Sequence, residues 1–291
     1  MRKYVLVSGL GWSGSSAVTD WLADIQGVEG GLFVVPREFK ILARANIYSI
    51  LSAKRRRGKI LHSINGIKTL IRNRLKWRDI SKAPRSISNK TERLHLLDLK
   101  TVLWLLVYIL FVRFASERLH VWYWRKYLDY VVGHFCQAGI IVLDQPSVLG
   151  RDDGSMKIFG NYLSVVVHRD LKDQCFDDLS RKNKLSEDCC VRCLSRKRDK
   201  LKKIAEMART ERTIFIGFER FVENQNDLMG ALKNKFFDEF RRSYHVSRRF
   251  DPRRSKMNIG IGEGLNDYLC DKGLMILEDA ERIRGKLGQV Q

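Results

Sequence analysis

Four short runs along the chain are almost continuously apolar: Lys3–Ser8 (KYVLVS), Gly139–Leu143 (GIIVL), Ser164–Val167 (SVVV) and Thr213–Gly217 (TIFIG). Runs of this length without polar alternation suit parallel strands covered on both faces. Leu32–Val35 reads as a fifth. Helical periodicity separates most of them, beginning with Ala17–Ile25, and this predicts a βαβ succession: an α/β fold with a central parallel sheet flanked by helices. Between Phe39 and Gln137 no strand signal occurs, so residues 40–137 read as a helical insertion within a single domain spanning 1–291. Residues 181–212 have the spacing of a helix with one wet face. Val102–Val112 (VLWLLVYILFV) is apolar throughout, yet a helix needs about 20 such residues to cross a bilayer. It reads as a helix buried on most faces, with a helix dipping into an anionic leaflet as the alternative.

The length of 291 residues fits one large α/β domain. Charge is the unusual property. Lys and Arg number 54 against 33 Asp and Glu, a formal net charge of +21, which calls for a polyanionic partner. Residues 54–100 carry 15 basic and 3 acidic side chains, over half of the excess. They form either a solvated helical insertion or a cationic platform that collects an acidic acceptor. With no zinc-finger, helix-turn-helix or RNP pattern, nucleic acid is disfavoured as the partner. The six cysteines lie at 136, 175, 189, 190, 193 and 270. The Cys189-Cys190-x-x-Cys193 cluster lacks a fourth ligand at a sensible spacing, so no metal site is predicted and the cysteines read as helix packing. Met1-Arg2-Lys3 leads into too few apolar residues for a signal peptide, and the expectation is a cytoplasmic protein with reduced thiols.

The segment after the first strand carries the chemistry. Gly9-Leu10-Gly11-Trp12-Ser13-Gly14-Ser15-Ser16 leads into the first helical pattern. Glycines let the backbone turn sharply and approach an anion, and the amides and dipole of the helix start then face it. Ser13, Ser15 and Ser16 add hydroxyls. Strand, glycine-rich loop and helix together are the context a phosphate site requires; a plain helix N-cap turn is the structural alternative. Gly9 and Gly14 have the spacing of a nucleotide triphosphatase loop, but Ser15 stands where the phosphate-binding lysine belongs.

This loop resembles the 5′-phosphosulfate loop of sulfotransferases that use 3′-phosphoadenosine-5′-phosphosulfate (PAPS), which reads P-[KR]-S-G-[ST]-[ST]; here Gly11-Trp12-Ser13-Gly14-Ser15-Ser16 matches it. Val165–Asp173 (VVVHRDLKD) is similar to that family's strand and R-[ND]-P-[KR]-D segment, and Ile214–Phe221 (IFIGFERF) to its strand and Y-E-D-L segment beside the adenine. Asp251–Lys256 (DPRRSK) looks like its second 3′-phosphate loop. The resemblance implies a P-loop-like sulfotransferase fold and a PAPS site built from Gly11, Trp12, Ser13, Gly14, Ser15, Ser16, Arg169, Phe218, Arg253, Arg254 and Ser255. It covers about half of the chain and leaves out residues 40–135. Arg169 is the residue that would grip the 3′-phosphate, a task suited to a bidentate guanidinium; a surface salt bridge with Asp170 or Asp173 is its structural alternative.

Two positions depart from the family. Its catalytic Lys or Arg is Trp12 here, with Arg37 and Lys40 as candidate substitutes. Asp177 replaces the serine eight residues after the phosphate arginine. A base for the acceptor hydroxyl is also required. Glu38, after the second strand, and Asp144, after Ile140–Leu143, are the candidates; a surface ion pair and a loop cap are their structural readings. The implied activity is transfer of a sulfuryl group from PAPS to a hydroxyl of an acidic or neutral glycan, without a metal, in the cytoplasm or against an anionic membrane surface. A P-loop nucleotide kinase or NTPase, supported by the Walker B-like strand ending on Asp144, is the alternative. So is an inactive protein that only binds PAPS or another anion.

Overall fold

A computed structural model of the chain describes residues 3–11, 13–34, 103–104, 106–107, 116–133, 138–144, 158–207, 212–235 and 238–288. The chain opens with β1 (Lys3–Gly9), turns into α1 (Ser15–Ala23), and adds a two-residue strand β2 (Ile25–Gln26) before β3 (Leu32–Val34). Helix α2 (Glu117–Gly133) precedes β4 (Ile140–Asp144). Strand β5 (Tyr162–His168) leads into α3 (Leu171–Ser180) and α4 (Glu187–Met207). Then come β6 (Thr213–Gly217), α5 (Phe218–Glu223), α6 (Asn226–Lys235), β7 (Tyr244–His245) and α7 (Pro252–Lys256). A 3₁₀ segment, Ile261–Tyr268, leads to α8 (Asp271–Gly288).

The five apolar runs are the five strands of one sheet, in the order β3-β4-β1-β5-β6, and every pairing within it is parallel. Strand alternation divides the core in two. Val5, Val7, Val165, Val167, Ile214 and Ile216 face Trp21 and Leu22 of α1 and Phe221 of α5. Val166 and Phe215 face the other way, onto Leu171 and Cys175 of α3, Leu194 and Leu201 of α4 and Ile283 of α8. Helices cover both faces, as continuous apolar strands require. Because β1 lies between β4 and β5, the strands after it are placed on opposite sides. The carboxyl ends beside β1 are then where an open α/β sheet leaves a crevice for ligands.

Element boundaries differ from the sequence expectation where a tertiary partner decides them. Helix α1 stops at Ala23, because Ile25 pairs with His245 and Gln26 with Tyr244 in a second, antiparallel ladder. The basic segment Arg253–Lys256, expected as a loop, is helical: Asp251 accepts the Arg253 and Arg254 amides, and Pro252 sits at the first turn. Within the apolar run, Leu103, Leu106 and Val107 are exposed, against the expectation of burial on most faces. Trp104 supplies the packed side, where its carbonyl accepts from the Tyr123 hydroxyl and its ring lies 5.1 Å from that of Tyr123. Among the described residues, no helix is long and apolar enough to cross a membrane. Most of the expected insertion at 40–137 lies outside the described residues.

Candidate functional site

Two glycines shape the turn between β1 and α1. A Cβ on Gly9 would stand 1.9 Å from the Ser13 hydroxyl and 2.7 Å from the Val167 carbonyl, so the loop folds directly against β5. Gly14, the N-cap of α1, has φ +88°, and a Cβ there would meet the Phe218 ring at 2.1 Å. Such a position admits only glycine without strain. The Ser13 amide donates to the Leu10 carbonyl at 2.8 Å. Its hydroxyl is buried and, among the described residues, has no hydrogen-bond partner. A buried hydroxyl left in that condition is costly unless a ligand completes it.

Arg169 leaves the carboxyl end of β5 and is 3% exposed. The carbonyl of Asn258 accepts from its guanidinium. Asp177 Oδ2 lies at 3.5 Å and Asp173 Oδ2 at 3.8 Å. Its Cζ stands 5.5 Å from the centre of the Phe218 ring, within cation–π range. Phe218 is therefore held between Gly14 and Arg169. Two dependencies run in sequence here: only a glycine at 14 admits the ring, and the ring in turn supports the arginine.

The C-terminal segment is brought to the same place by two buried carboxylates. Asp24, at the end of α1, accepts the amides of Arg248, Arg249 and Phe250 at 2.9, 2.7 and 3.1 Å. Asp173 accepts those of Gly260 and Gly262 at 2.8 and 2.6 Å. Between these two anchors lies α7, with Ser255 buried and Asn258 just after it.

The result is a cavity of about 270 Å³ lined by Ser13, Gly14, Ser15, Ser16, Ala17, Arg169, Asp177, Arg181, Phe218, Ser255 and Asn258. Seven residues that the resemblance assigns to the nucleotide thus meet in one place, Ser13 to Ser16, Arg169, Phe218 and Ser255, with Asp177, a departure from the family pattern, lining the same cavity. Gly11 adjoins the cavity without lining it. Arg253 and Arg254 stand exposed on α7 and do not line it either. Trp12, Arg37, Glu38 and Lys40 lie outside the described residues. Asp144 closes β4 opposite Val7 of β1, so its backbone leaves the sheet at the edge that carries the loop.

Sequence reasoning passed over Arg181, Asn258 and Lys197. Arg181 donates to Asp177 at 2.6 Å, an i,i+4 pair that many solvated helices show and that carries no distinguishing signal. Lys197 did carry one. It falls on the apolar stripe Cys190, Cys193, Leu194, Leu201 of α4, where a charged residue is out of place. It is buried, and its ammonium donates to the Gly11 carbonyl at 2.8 Å.

A larger cavity, about 830 Å³, runs along the outer edge of β6 and is lined by His168, Gly217, Glu219, Asn226 and Arg284 among others. Burial first, and Arg284 second, push the His168 pKa down to about 4, so this imidazole is neutral at pH 7. The smaller cavity has the stronger claim to anion chemistry, because it holds the glycine turn, the incomplete hydroxyl and the buried guanidinium together.

No protein-family model and no curated protein matches the chain. Among solved structures, the sulfotransferase domain from the Synechococcus PCC 7002 olefin synthase is similar over 95% of this chain and 93% of that domain, with 13% identity and a TM-score of 0.48. Likeness at that level assigns neither activity nor ligand.

Proposed function

We propose that the chain is a sulfotransferase that moves a sulfuryl group from PAPS to a hydroxyl acceptor, with the cavity between the β1–α1 loop and Arg169 as the nucleotide site. The observation that carries this reading is the convergence of four separate segments, 13–16, 169, 218 and 255, on one cavity. The four lie far apart in the sequence and follow the order of the motifs that the sequence carries. The residues fit the ligand. The unmatched Ser13 hydroxyl and the start of α1 would hold the 5′-phosphosulfate, Arg169 and Ser255 the 3′-phosphate, and the Phe218 ring would border the adenosine. PAPS itself supplies the activated sulfuryl group.

What the chain contributes is binding, orientation and a base. Donors fixed before the ligand arrives stabilise charge at the bridging oxygen without reorganising. The acceptor proton goes to Glu38 or Asp144; the second leaves the sheet beside the loop. The acceptor is a glycan hydroxyl in this reading, drawn in by the basic 54–100 segment.

One observation favours a nucleoside-triphosphate site instead: β4 adjoins β1 and ends on an aspartate, the arrangement that holds magnesium in P-loop enzymes. Thermal unfolding separates the two. Adenosine 3′,5′-bisphosphate at 100 times its Kd should stabilise the folded chain by about 2.7 kcal/mol, and ATP with magnesium should do far less. Stabilisation by ATP–magnesium alone overturns the sulfotransferase reading.

A further inference from the structure

The charged side chains that line the cavity are largely paired with one another or with the buried Asp173 behind them. Arg169 and Arg181 supply the positive charge, Asp177 pairs with both, and Asp173 faces Arg169 as well. The loop offers no cation of its own at Ser15, and its other candidate position is Trp12. Even so, one amino group touches the loop from behind. Lys197, three turns along α4, is 4% exposed, and its ammonium lies 2.8 Å from the carbonyl oxygen of Gly11.

Its surroundings hold it only in part: the Cys193 thiol beside it, its pKa lowered to about 7 first by its hydrogen bond with Cys175 and further by Lys197, is the nearest countercharge. Among the described residues, no carboxylate forms a salt bridge with it. The neighbouring acid, Asp178 of α3, is taken by Lys182 and by Arg196 at 3.2 Å. The remaining titratable neighbours are the thiols of Cys175 and Cys193 and the Arg196 guanidinium. Burial lowers the Lys197 pKa, with Cys175, Cys193 and Asp178 acting in the opposite direction. A buried ammonium that, among the described residues, has one carbonyl partner is an expensive arrangement. It becomes useful when an anion sits on the far side of the thin loop, where low dielectric lets the charge act across it.

We propose that Lys197 is the cation missing from the loop, delivered from a distant helix: it fixes the Gly11 carbonyl and gives the turn its excess positive charge from behind. The proposal rests on the nucleotide reading of the cavity given above. Lys197 is a positioning residue, since it does not line the cavity. Two effects combine. A carbonyl held by an ammonium is kept from turning toward a bound phosphate, and the charge behind it raises the potential on the loop's open side.

Calorimetric titration of the full chain at low salt tests this, with adenosine 3′,5′-bisphosphate, inorganic pyrophosphate and uncharged adenosine as probes. Lys197→Met removes charge and donor, and Lys197→Gln keeps a donor for Gly11 while removing the charge. Both should weaken bisphosphate and pyrophosphate binding by about tenfold, the order expected of one buried charge acting across a loop, with adenosine unchanged. Lys197→Arg should stay within about threefold of the parent. Should the Met variant not fold, the Gln variant decides. Unchanged anion affinity in Lys197→Gln overturns the proposal, and so does an equal loss for adenosine, which would make the lysine a structural prop. If the parent chain binds pyrophosphate but not the bisphosphate, the nucleotide reading falls while the lysine's role is still decided by pyrophosphate. Binding of neither removes both.

Discussion

Arg169→Ala is expected to lower the stability of the chain by about 3–5 kcal/mol and to abolish measurable binding of adenosine 3′,5′-bisphosphate. The stability loss follows from burial. Arg169 is 3% exposed and faces Asp173 and Asp177; removing one partner of a buried ionic cluster leaves the others uncompensated. Asp173 also anchors the amides of Gly260 and Gly262, so its displacement would release Ser255 and Asn258 from the cavity. The binding loss follows because, among the described residues, the guanidinium is the one deeply buried cation that lines the cavity. Chemical denaturation gives the first quantity and calorimetry the second. A stability change under about 1 kcal/mol would mean that the ion pairs of Arg169 contribute little to the fold.

The second large effect is expected at Gly14. A methyl group there combines two penalties: a left-handed φ of +88° and a contact of 2.1 Å with the Phe218 ring. Left-handed strain of about 1–2 kcal/mol and overpacking of about 1–3 kcal/mol together predict a loss of about 2–5 kcal/mol for Gly14→Ala. The double variant Gly14→Ala/Phe218→Ala relieves the clash but not the dihedral strain, so Gly14→Ala should cost markedly less in a Phe218→Ala background than in the parent. Equal costs in the two backgrounds would show that the ring does not rest on the glycine. Denaturant titration of the four proteins reads this coupling directly.

Much of the sheet was legible because its strands are buried on both faces. A stretch such as Val165-Val166-Val167 has no polar position to mislead, and its two sides are filled by different helices. The glycine turn was legible for a similar reason: Gly9 and Gly14 are demanded by contacts with Ser13 and Phe218 that no larger residue permits. What the sequence concealed is what depends on residues far apart in the chain. The end of α1 is set by pairing with residue 245. The helical form of Arg253–Lys256 follows from the Asp251 cap, and its place beside the cavity from Asp24 and Asp173. Motif reading assigned the whole basic segment to the phosphate, yet only Ser255 among those three residues faces the cavity, with Arg253 and Arg254 turned to solvent. Lys197 belongs between these cases, since its place on an apolar helix face was visible while its partner, 186 positions away, was not.

The central claim is that a single cavity takes both phosphates of the nucleotide. A crystal structure of the chain with adenosine 3′,5′-bisphosphate tests it most directly. The 5′-phosphate is predicted on residues 13–16, with the Ser13 hydroxyl completing its hydrogen bonding, and the 3′-phosphate beside Arg169 and Ser255. Nucleotide bound in the β6-edge cavity lined by His168 and Arg284, with the Ser13 hydroxyl still unmatched, would contradict it.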